Sequence, residues 1–267
     1  PSATRGALFE KTAPLDPPQK LFINQKFLRG GQGGMVFTKR IPPWLPEANM
    51  RKILRKIYHL FFKKKKITGI RYWKRRARKH GQRSVFNLQH PEEELAVVTQ
   101  MQKDKLFPIL EQHLNGDERL VLDFGCGPGR FTHDLAQILK GKAIGVDPIK
   151  HLLDLAPKYP DVQYQVMKEA NIPIENDSID VAWICIVLGG ITNEKVLKKS
   201  IAEIDRVLKK QGLVFLVENT SDQPDQPHWK YRSVQMYQQL FKFAGLKHIS
   251  DYIDVDERIS IMVGRKK

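Results

Sequence analysis

The sequence predicts an α/β fold, a mostly parallel sheet with helices on both faces, which follows a basic helical N-terminal extension. Strand and helix patterns alternate from residue 119 onward, as is typical of right-handed βαβ crossovers. The strand segments are almost continuously apolar, as expected of parallel strands that are buried on both faces. A glycine-rich turn at 125–129 directly follows the first of these strands.

Length and composition exclude several classes of protein. The chain has 267 residues, which suits one α/β domain with an appendage, and its 41% of hydrophobic residues exclude wholesale disorder. Cys126 and Cys185 are the only cysteines, so a disulfide scaffold is excluded, and they lack the spacing of metal ligands. No apolar run approaches the roughly 20 residues of a bilayer span, and no secretory signal pattern opens the chain. We therefore expect a cytoplasmic protein without a metal site.

The positive charge is concentrated in residues 50–83. This segment holds 15 Lys and Arg and no Asp or Glu, whereas the rest of the chain holds 30 basic and 29 acidic residues. Such a segment is expected to seek an anionic surface, which would be phospholipid, nucleic acid or an acidic polymer. Alternatively, it is a solvated basic face that favours solubility.

We divide the chain into three parts. Residues 1–49 have no hydrophobic period and are rich in Pro and Gly, which predicts an irregular, mobile arm. Residues 50–90 form the basic helical extension, and its first helix, at 50–62, is amphipathic. That helix would lie in a membrane interface or dock on a partner, or else its apolar stripe packs on the main domain. Residues 91–267 form the α/β domain.

The elements follow in order. The predicted helices span 71–83, 91–115, 131–139, 150–155, 193–208 and 233–244. The predicted strands span 120–124, 143–146, 162–167, 179–186 and 213–217, and two further strands at 247–252 and 258–263 form a closing antiparallel hairpin. Apolar periodicity defines each segment, and Gly or Pro bounds several of them.

The turn after the first strand is the sharpest functional signal, with glycines at Gly125, Gly127 and Gly129. Glycines let the backbone approach a ligand closely and adopt conformations that a Cβ forbids. Arg130 stands where a dinucleotide fingerprint requires Gly or Ala. Asp123, at the end of the strand, would repel a pyrophosphate but attract an ammonium group. Alternatively, Asp123 caps the following helix or pairs with a lysine.

A second carboxylate, Asp147, ends the second strand about 20 residues beyond the glycine turn. An acid at this point is placed to hold both hydroxyls of a ribose. Alternatively, Asp147 is the N-cap of the helix that follows Pro148. The two acids together indicate a ligand with a ribose and an ammonium group that makes no demand for phosphate binding. S-adenosylmethionine fits that description.

From 106 to 263 the chain resembles the class I S-adenosylmethionine-dependent methyltransferases. The glycine motif carries the resemblance, and the segments 168–173, 177–183 and 203–212 match later motifs of that family in order. Gln211 departs from the pattern, since it takes the place of a proline or glycine. The resemblance implies a Rossmann-like, seven-stranded, mostly parallel sheet whose last strand is antiparallel, and S-adenosylmethionine as the cofactor.

The resemblance also extends the predicted cofactor site beyond the three glycines and two acids. Pro148, next to Asp147, belongs to this site. By the match at 168–173, Glu169 would face the adenine amine and Ala170 would offer backbone groups to the ring. Alternatively, Glu169 is a plain surface carboxylate.

The acceptor side of the site is less defined. A hydroxyl acceptor benefits from a general base, and Glu218 and His228 follow the fifth strand at the predicted active edge, so we name both as candidate catalytic residues. Alternatively, Glu218 pairs with Arg232, and His228 is a surface histidine. The Gly189-Gly190 pair after the fourth strand either makes room for a large acceptor such as a sugar unit or forms a tight turn.

Three functions remain open at this stage. The leading hypothesis is a methyltransferase for a small-molecule or glycan acceptor, directed to oxygen, with residues 50–66 holding it at the inner face of a membrane. The second is an RNA methyltransferase that uses the basic segment to hold phosphates and stack bases. The third is a noncatalytic scaffold of the same fold within a ribonucleoprotein.

Overall fold

A computed structural model describes residues 69–168 and 170–267. Three predictions therefore lie outside the described residues: the arm at 1–49, the amphipathic helix at 50–62 with its membrane contact, and the role of Glu169. Residues 64–267 form one compact unit, and everything below concerns the described part of it.

One seven-stranded sheet organises this unit, with the strand order β3-β2-β1-β4-β5-β7-β6. The strands are β1 (Leu120–Phe124), β2 (Lys142–Asp147), β3 (Val162–Val166), β4 (Ile179–Cys185), β5 (Leu208–Asn219), β6 (Lys247–Asp254) and β7 (Glu257–Arg265). The first five run parallel, whereas β7 is antiparallel to both β5 and β6. The predicted fold class and the closing hairpin are confirmed.

Helices cover both faces of the sheet. They are α1 (Gly69–His80), α2 (Leu95–His113), α3 (Thr132–Ile138), α4 (Lys150–Leu153), α5 (Glu194–Val207) and α6 (Val234–Leu240), with 3-10 turns at Gly81–Val85, Glu92–Glu94 and Leu188–Gly190. Gly81 ends α1 with a φ of +53°, as expected of a glycine that follows a helix.

The largest difference from the predicted elements is the length of β5. The strand was expected to start at 213, but it begins at Leu208 with no loop after α5. Leu208 pairs with Ile179, and the ladder resumes at Leu213 beyond an irregularity in register. This tertiary pairing extends the strand through polar residues that no apolar pattern marks.

The core has two layers, because alternate strand residues face opposite sides of the sheet. On one side, Ile204 of α5 and Tyr237 of α6 pack against β4 and β5. On the other, Leu106 of α2 and Leu135 of α3 pack around Trp183, whose ring stacks on Phe215 with 4.8 Å between the ring centres. Burial on both faces explains the continuous apolar strands of the sequence.

The segment 69–94, here called the N-terminal wrap, packs on the α/β domain. Ala77 is buried against Ile149 and Leu152 at the start of α4. Farther along, Nε2 of His90 lies 2.8 Å from Oδ1 of Asp254 in the turn between β6 and β7. The compact unit therefore includes part of the basic extension that was predicted to end at residue 90, and the three-part division of the chain stays a prediction. None of the helices within the described residues is long and apolar enough to cross a membrane.

Candidate functional site

A cavity of about 1600 Å³ opens at the carboxyl ends of β1, β2 and β4. Its floor includes the glycine loop, and its cover is the N-terminal wrap, which contributes residues from Gly69 to His90. Open α/β sheets bind ligands at this edge. The predicted site residues that line the cavity are Asp123, Gly125, Asp147, Pro148, Ala170 and His228.

The glycine loop adopts a conformation that only glycine tolerates well. Gly125, Gly127 and Gly129 have φ values of +75°, +55° and +75°. A Cβ on Gly125 would lie 2.5 Å from the side chain of Val187, and one on Gly127 would lie 2.9 Å from that of Val85. The three glycines thus bring the loop backbone close to its neighbours, and Val85 of the N-terminal wrap packs directly on the loop.

Asp147 fixes the position of the loop. Its Oδ2 accepts a hydrogen bond from the amide of Gly127 at 3.1 Å, and its Oδ1 accepts one from the amide of Ile149 at 2.7 Å. Ile149, and not Asp147, occupies the N-cap position of α4. Burial raises the pKa of Asp147 to about 6. Each carboxylate oxygen has a second lone pair, so the side chain retains capacity for hydroxyl donors of a ligand.

Asp123 is a second buried carboxylate on the cavity floor. Its Oδ2 accepts a hydrogen bond of 2.6 Å from the hydroxyl of Thr132, at the start of α3. Burial raises the pKa of Asp123 to about 7, and the nearby charge of Asp147 adds to this effect. A cationic group in the cavity would favour the ionised form of Asp123. Among the described residues Asp123 forms no ion pair, so the alternative of a lysine partner is not supported there.

Ala170, which was predicted to offer backbone groups to an adenine ring, lies in a tight turn. It is buried, lines the cavity and has a φ of +63°. The turn around it is held by the amide of Asn171, which donates to the carbonyl oxygen of Lys168 at 2.8 Å. Pro148 lines the cavity beside Asp147.

Four rings form an aromatic cluster, Tyr72, Trp73, His228 and Trp229, and all of them except Tyr72 line the cavity. The rings of Tyr72 and His228 stack with 3.9 Å between their centres, and Trp73 meets Trp229 edge-on at 6.2 Å. No sequence pattern indicates the contribution of α1 to this cluster, because Tyr72 and Trp73 are more than 150 residues from His228 along the chain. Only the tertiary fold brings them together.

The Gly189-Gly190 pair accommodates this cluster. A Cβ on Gly190 would lie 2.9 Å from Nε1 of Trp73, and one on Gly189 would collide with the ring of Trp229. Nε1 of Trp73 also donates to the carbonyl oxygen of Gly190 at 3.3 Å. The space above both glycines is therefore taken by indole rings, and of the two alternatives for this pair the structure favours the tight turn.

His228 is half-buried in the cavity wall. Burial, and secondarily the positive charge of Arg76, lower the pKa of its imidazole below the usual 6.5. The ring is therefore mostly neutral at pH 7 and able to accept a proton. This geometry is compatible with the role of a base that was expected of His228.

Glu218 has different surroundings, and they do not fit the predicted role of a base. Its carboxylate accepts hydrogen bonds from the amides of Val187 (2.8 Å), Leu188 (2.5 Å) and Gly189 (3.3 Å), and from the hydroxyl of Tyr237 (3.3 Å). Burial raises its pKa to about 7. The side chain is fully buried and does not line the cavity. Glu218 instead holds the loop that follows β4.

The alternative pairing of Glu218 with Arg232 is not observed either. Arg232 is buried and forms its ion pair with Glu194 at 3.0 Å. Its guanidinium also donates to the carbonyl oxygens of Leu188 (3.0 Å) and Ile191 (3.2 Å). Arg232 thus binds carbonyl oxygens of the loop after β4, and Glu218 binds amide groups of the same loop.

Comparison with known proteins places the chain among methyltransferases by sequence. A family model described as a methyltransferase domain matches residues 121–212. An uncharacterized methyltransferase-like protein of Schizosaccharomyces pombe is 32% identical over 115 residues, which cover 43% of this chain and 43% of that protein. A ubiquinone/menaquinone biosynthesis C-methyltransferase of Campylobacter jejuni is 28% identical over 123 residues, covering 42% of this chain and 49% of that one. The chain thus spans less than half the length of these curated relatives.

Solved structures show the same fold at low identity. The PH0226 protein of Pyrococcus horikoshii superposes with a TM-score of 0.53 at 16% identity, covering 66% of this chain and 94% of that one. The YcgJ protein of Bacillus subtilis superposes with a TM-score of 0.51 at 18% identity, covering 61% of this chain and 97% of that one.

Proposed function

We propose that this chain, which resembles methyltransferases over residues 121–212, is a class I S-adenosylmethionine-dependent methyltransferase that methylates an oxygen atom of a small-molecule or glycan acceptor. One observation carries the proposal: Asp147 ties the glycine loop to the end of β2 at the floor of a cavity that also holds the half-buried imidazole of His228. A binding loop and a proton acceptor thus share one cavity.

The residues present fit S-adenosylmethionine. Asp123 and Asp147 are buried carboxylates, suited to the ammonium group and to the ribose hydroxyls, and the chain has no P-loop motif of the type G-x-x-x-x-G-K-[ST] that would favour a polyphosphate. A typical small-molecule pocket has a volume of about 300–1000 Å³. The cavity here, about 1600 Å³, therefore has room for a second reactant. When bound, the cofactor supplies an electrophilic methyl group on a sulfonium sulfur.

The protein contributes alignment, exclusion of water and a proton acceptor. The N-terminal wrap covers the cavity, which limits the access of water to the reactants. Alignment of two reactants in one cavity supplies a large part of the acceleration of a displacement reaction. The neutral imidazole of His228 takes the proton of the acceptor hydroxyl as the new bond forms.

Titration calorimetry with S-adenosylmethionine, followed by a screen of acceptors with the methyl-labelled cofactor and mass determination of the product, tests this proposal. We expect binding in the micromolar range and a gain of one methyl group on oxygen. Binding without transfer to any acceptor class would favour the noncatalytic scaffold, and the absence of binding would refute the proposal.

A membrane location is a separate part of the proposal. Residues 50–66, outside the described residues, combine an amphipathic pattern with a run of four lysines, a combination that binds anionic lipid surfaces. We propose that this segment holds a cytoplasmic enzyme at the inner face of a membrane, next to lipid-linked acceptors. Co-sedimentation with anionic vesicles should fall when residues 50–66 are deleted, and equal partitioning of both chains would rule out the anchor.

An RNA acceptor is the second candidate. Arg71, Lys74 and Arg78 of α1 line the cavity, as do three rings of the aromatic cluster. Positive charge with stacking rings is typical of single-strand RNA binding. The rat protein called ribosomal RNA-processing protein 8 is 35% identical over 102 residues, which cover 38% of this chain and 19% of that protein. RNA binding that weakens steeply with salt, together with methylated RNA as the product, would favour this candidate over the first.

A further inference from the structure

Exposed basic side chains from two helices line the cavity and stand at its mouth. They are Arg71, Lys74 and Arg78 of α1, with Lys195 and Lys199 of α5. Residues three or four positions apart on a helix share one face. Each helix therefore turns one basic stripe toward the cavity, and we call these five residues the cationic mouth.

The starts of the two helices are in contact. A Cβ on Gly69, the first residue of α1, would lie 3.7 Å from Oγ1 of Thr192, which precedes α5 by two residues. One turn farther along α1, Nε1 of Trp73 donates to the carbonyl oxygen of Gly190 at 3.3 Å. The first turns of both helices are therefore neighbours, and so are the basic stripes that begin there.

The cationic mouth has no acidic partner in the part of the chain that the structure describes. None of its five residues forms an ion pair there. Glu194, at the start of α5, is instead bound by Lys230 at 2.8 Å and by Arg232 at 3.0 Å. Glu203, farther along the same helix, is bound by Arg206 at 2.7 Å. Like charges around one opening repel each other and attract an anion.

A buried hydroxyl on α5 also indicates an anionic ligand. Ser200 follows Lys199 directly, lines the cavity and is fully buried. Its Oγ has no hydrogen-bond partner within residues 69–168 and 170–267. A buried donor without an acceptor is costly. An oxygen atom of an anion held by the cationic mouth would supply the missing acceptor.

Apolar side chains lie between these charges. Ile70 of α1, Val196 of α5 and Val166 at the end of β3 are all exposed, and all three line the cavity. Single exposed apolar residues are normal on a protein surface, but here three of them surround one opening. A ligand with both an anionic group and an aliphatic part would cover them and gain from their burial.

We propose that the acceptor carries a phosphate group next to an aliphatic chain, with the phosphate bound by the cationic mouth and Ser200. This inference rests on the proposed function, because it names the chemical class of the acceptor for the same cavity. A phosphate offers several strong acceptor oxygens and up to two charges, so it pairs with several cations at once. RNA also carries phosphates, but its bases would seek aromatic rings and not aliphatic side chains.

Calorimetry on the full chain saturated with S-adenosylhomocysteine tests the assignment. The probes are octyl phosphate, the uncharged octyl glucoside and inorganic phosphate. Octyl phosphate should bind at least about tenfold more tightly than either of the others, because only it offers both charge and chain. The double variant Lys74→Met/Lys195→Met should weaken octyl phosphate about 10- to 100-fold and leave octyl glucoside within about twofold.

A matched control removes two charges from the same helices. Lys79 and Lys198 are exposed on α1 and α5 but do not line the cavity, so Lys79→Met/Lys198→Met should keep the affinity for octyl phosphate within about twofold. Residues 50–66 are common to all of these chains, so their own affinity for anions cancels from the comparison. Ser200→Ala should weaken octyl phosphate by about three- to tenfold without lowering the Tm, because it removes a hydroxyl that has no partner.

Four outcomes would overturn the assignment while the proposed function stands. They are equal weakening in the two double variants, no preference of the wild type for octyl phosphate over either other probe, loss of octyl phosphate binding on saturation with S-adenosylhomocysteine, and displacement of octyl phosphate by a single-stranded RNA oligonucleotide that binds more tightly. The last would assign the cationic mouth to RNA. Failure of the wild-type chain to bind S-adenosylhomocysteine would instead refute the proposed function.

Discussion

At the residue scale, Glu218 and His228 show how burial separates two side chains that sequence analysis treated as equivalent. Glu218 lies at the end of β5 and His228 in the segment that follows it, at the ligand-binding edge of the sheet. Glu218, however, accepts hydrogen bonds from three backbone amides and a tyrosine hydroxyl. His228 contacts rings and lines the cavity. The first is suited to positioning a loop, and the second to meeting a substrate.

Replacement of His228 should alter the pH dependence of the reaction. The imidazole accepts a proton only in its neutral form, and its pKa is lowered below 6.5. In the wild-type enzyme kcat/KM should therefore fall as the pH drops through that lowered value and should level off above it. His228→Gln should reduce kcat by about 100-fold or more and remove this acid limb.

The matched control is His248→Gln, because His248 lies on β6 and pairs with Asp251 outside the cavity. This control should keep the wild-type pH profile. If kcat/KM of His228→Gln still falls at low pH as in the wild type, another group accepts the proton.

Replacement of Glu218 should act on stability. Gln has one acceptor oxygen in place of two, so Glu218→Gln leaves buried amides of the loop after β4 with poorer partners. We expect a loss of about 1–3 kcal/mol in the free energy of unfolding, measured by urea denaturation. The shape of the pH profile should stay that of the wild type, and disappearance of the acid limb in this variant would restore Glu218 as the base.

At the scale of elements, the contact between α1 and the 3-10 turn Leu188–Gly190 joins the N-terminal wrap to the sheet. Nε1 of Trp73 bonds to the carbonyl oxygen of Gly190, and the missing Cβ of Gly190 leaves space for the indole ring. Asn193 caps α5 three residues later by accepting from the amides of Lys195 and Val196. The turn is therefore held by α5 on one side, and on the other side it contacts the N-terminal wrap.

A methyl group at Gly190 should loosen this contact. Its Cβ would lie 2.9 Å from Nε1 of Trp73, so the ring must shift. Gly190→Ala should lower the free energy of unfolding by about 1–3 kcal/mol through overpacking, and limited proteolysis should cut within 69–94 faster. In the double variant with Trp73→Leu, the added methyl group should hardly lower the free energy of unfolding any further, because the smaller leucine side chain leaves room for it. If the loss of unfolding free energy in the double variant equals the sum of the losses in the two single variants, the two residues do not interact.

At the scale of the whole molecule, the compact unit includes the N-terminal wrap. Val85 packs on the glycine loop, Phe86 on Arg130, and His90 pairs with Asp254. Cofactor binding is thus expected to depend on residues that precede the matched methyltransferase domain, which begins at residue 121.

Two shortened chains test this dependence. A chain of residues 64–267 should unfold cooperatively and bind S-adenosylhomocysteine within about threefold of the full chain, because it retains the whole unit. A chain of residues 95–267 lacks the wrap and should bind at least about tenfold more weakly, as measured by calorimetry, with a lower Tm. Equal affinity of the two shortened chains would show that the wrap does not contribute to the cofactor site.

Local sequence patterns were sufficient to predict the fold class, the resemblance to S-adenosylmethionine-dependent methyltransferases and the cofactor. Apolar runs mark the strands of a parallel sheet, and the conformations required at Gly125, Gly127 and Gly129 are properties of those residues. Local patterns could not predict the register of β5 or the start of the compact unit, because both depend on pairing and packing between distant segments.

Which polar residues face the cavity depends on the packing of all the elements of the unit. Glu218 is fully buried among backbone donors, whereas Trp73 of a basic helix lines the cavity and the neighbouring Tyr72 stacks on His228. Sequence pattern reports the type of a side chain and its place on an element. Burial and partners come from all the elements packed around it, and these set the pKa and the access to a ligand that separate a catalytic side chain from a structural one.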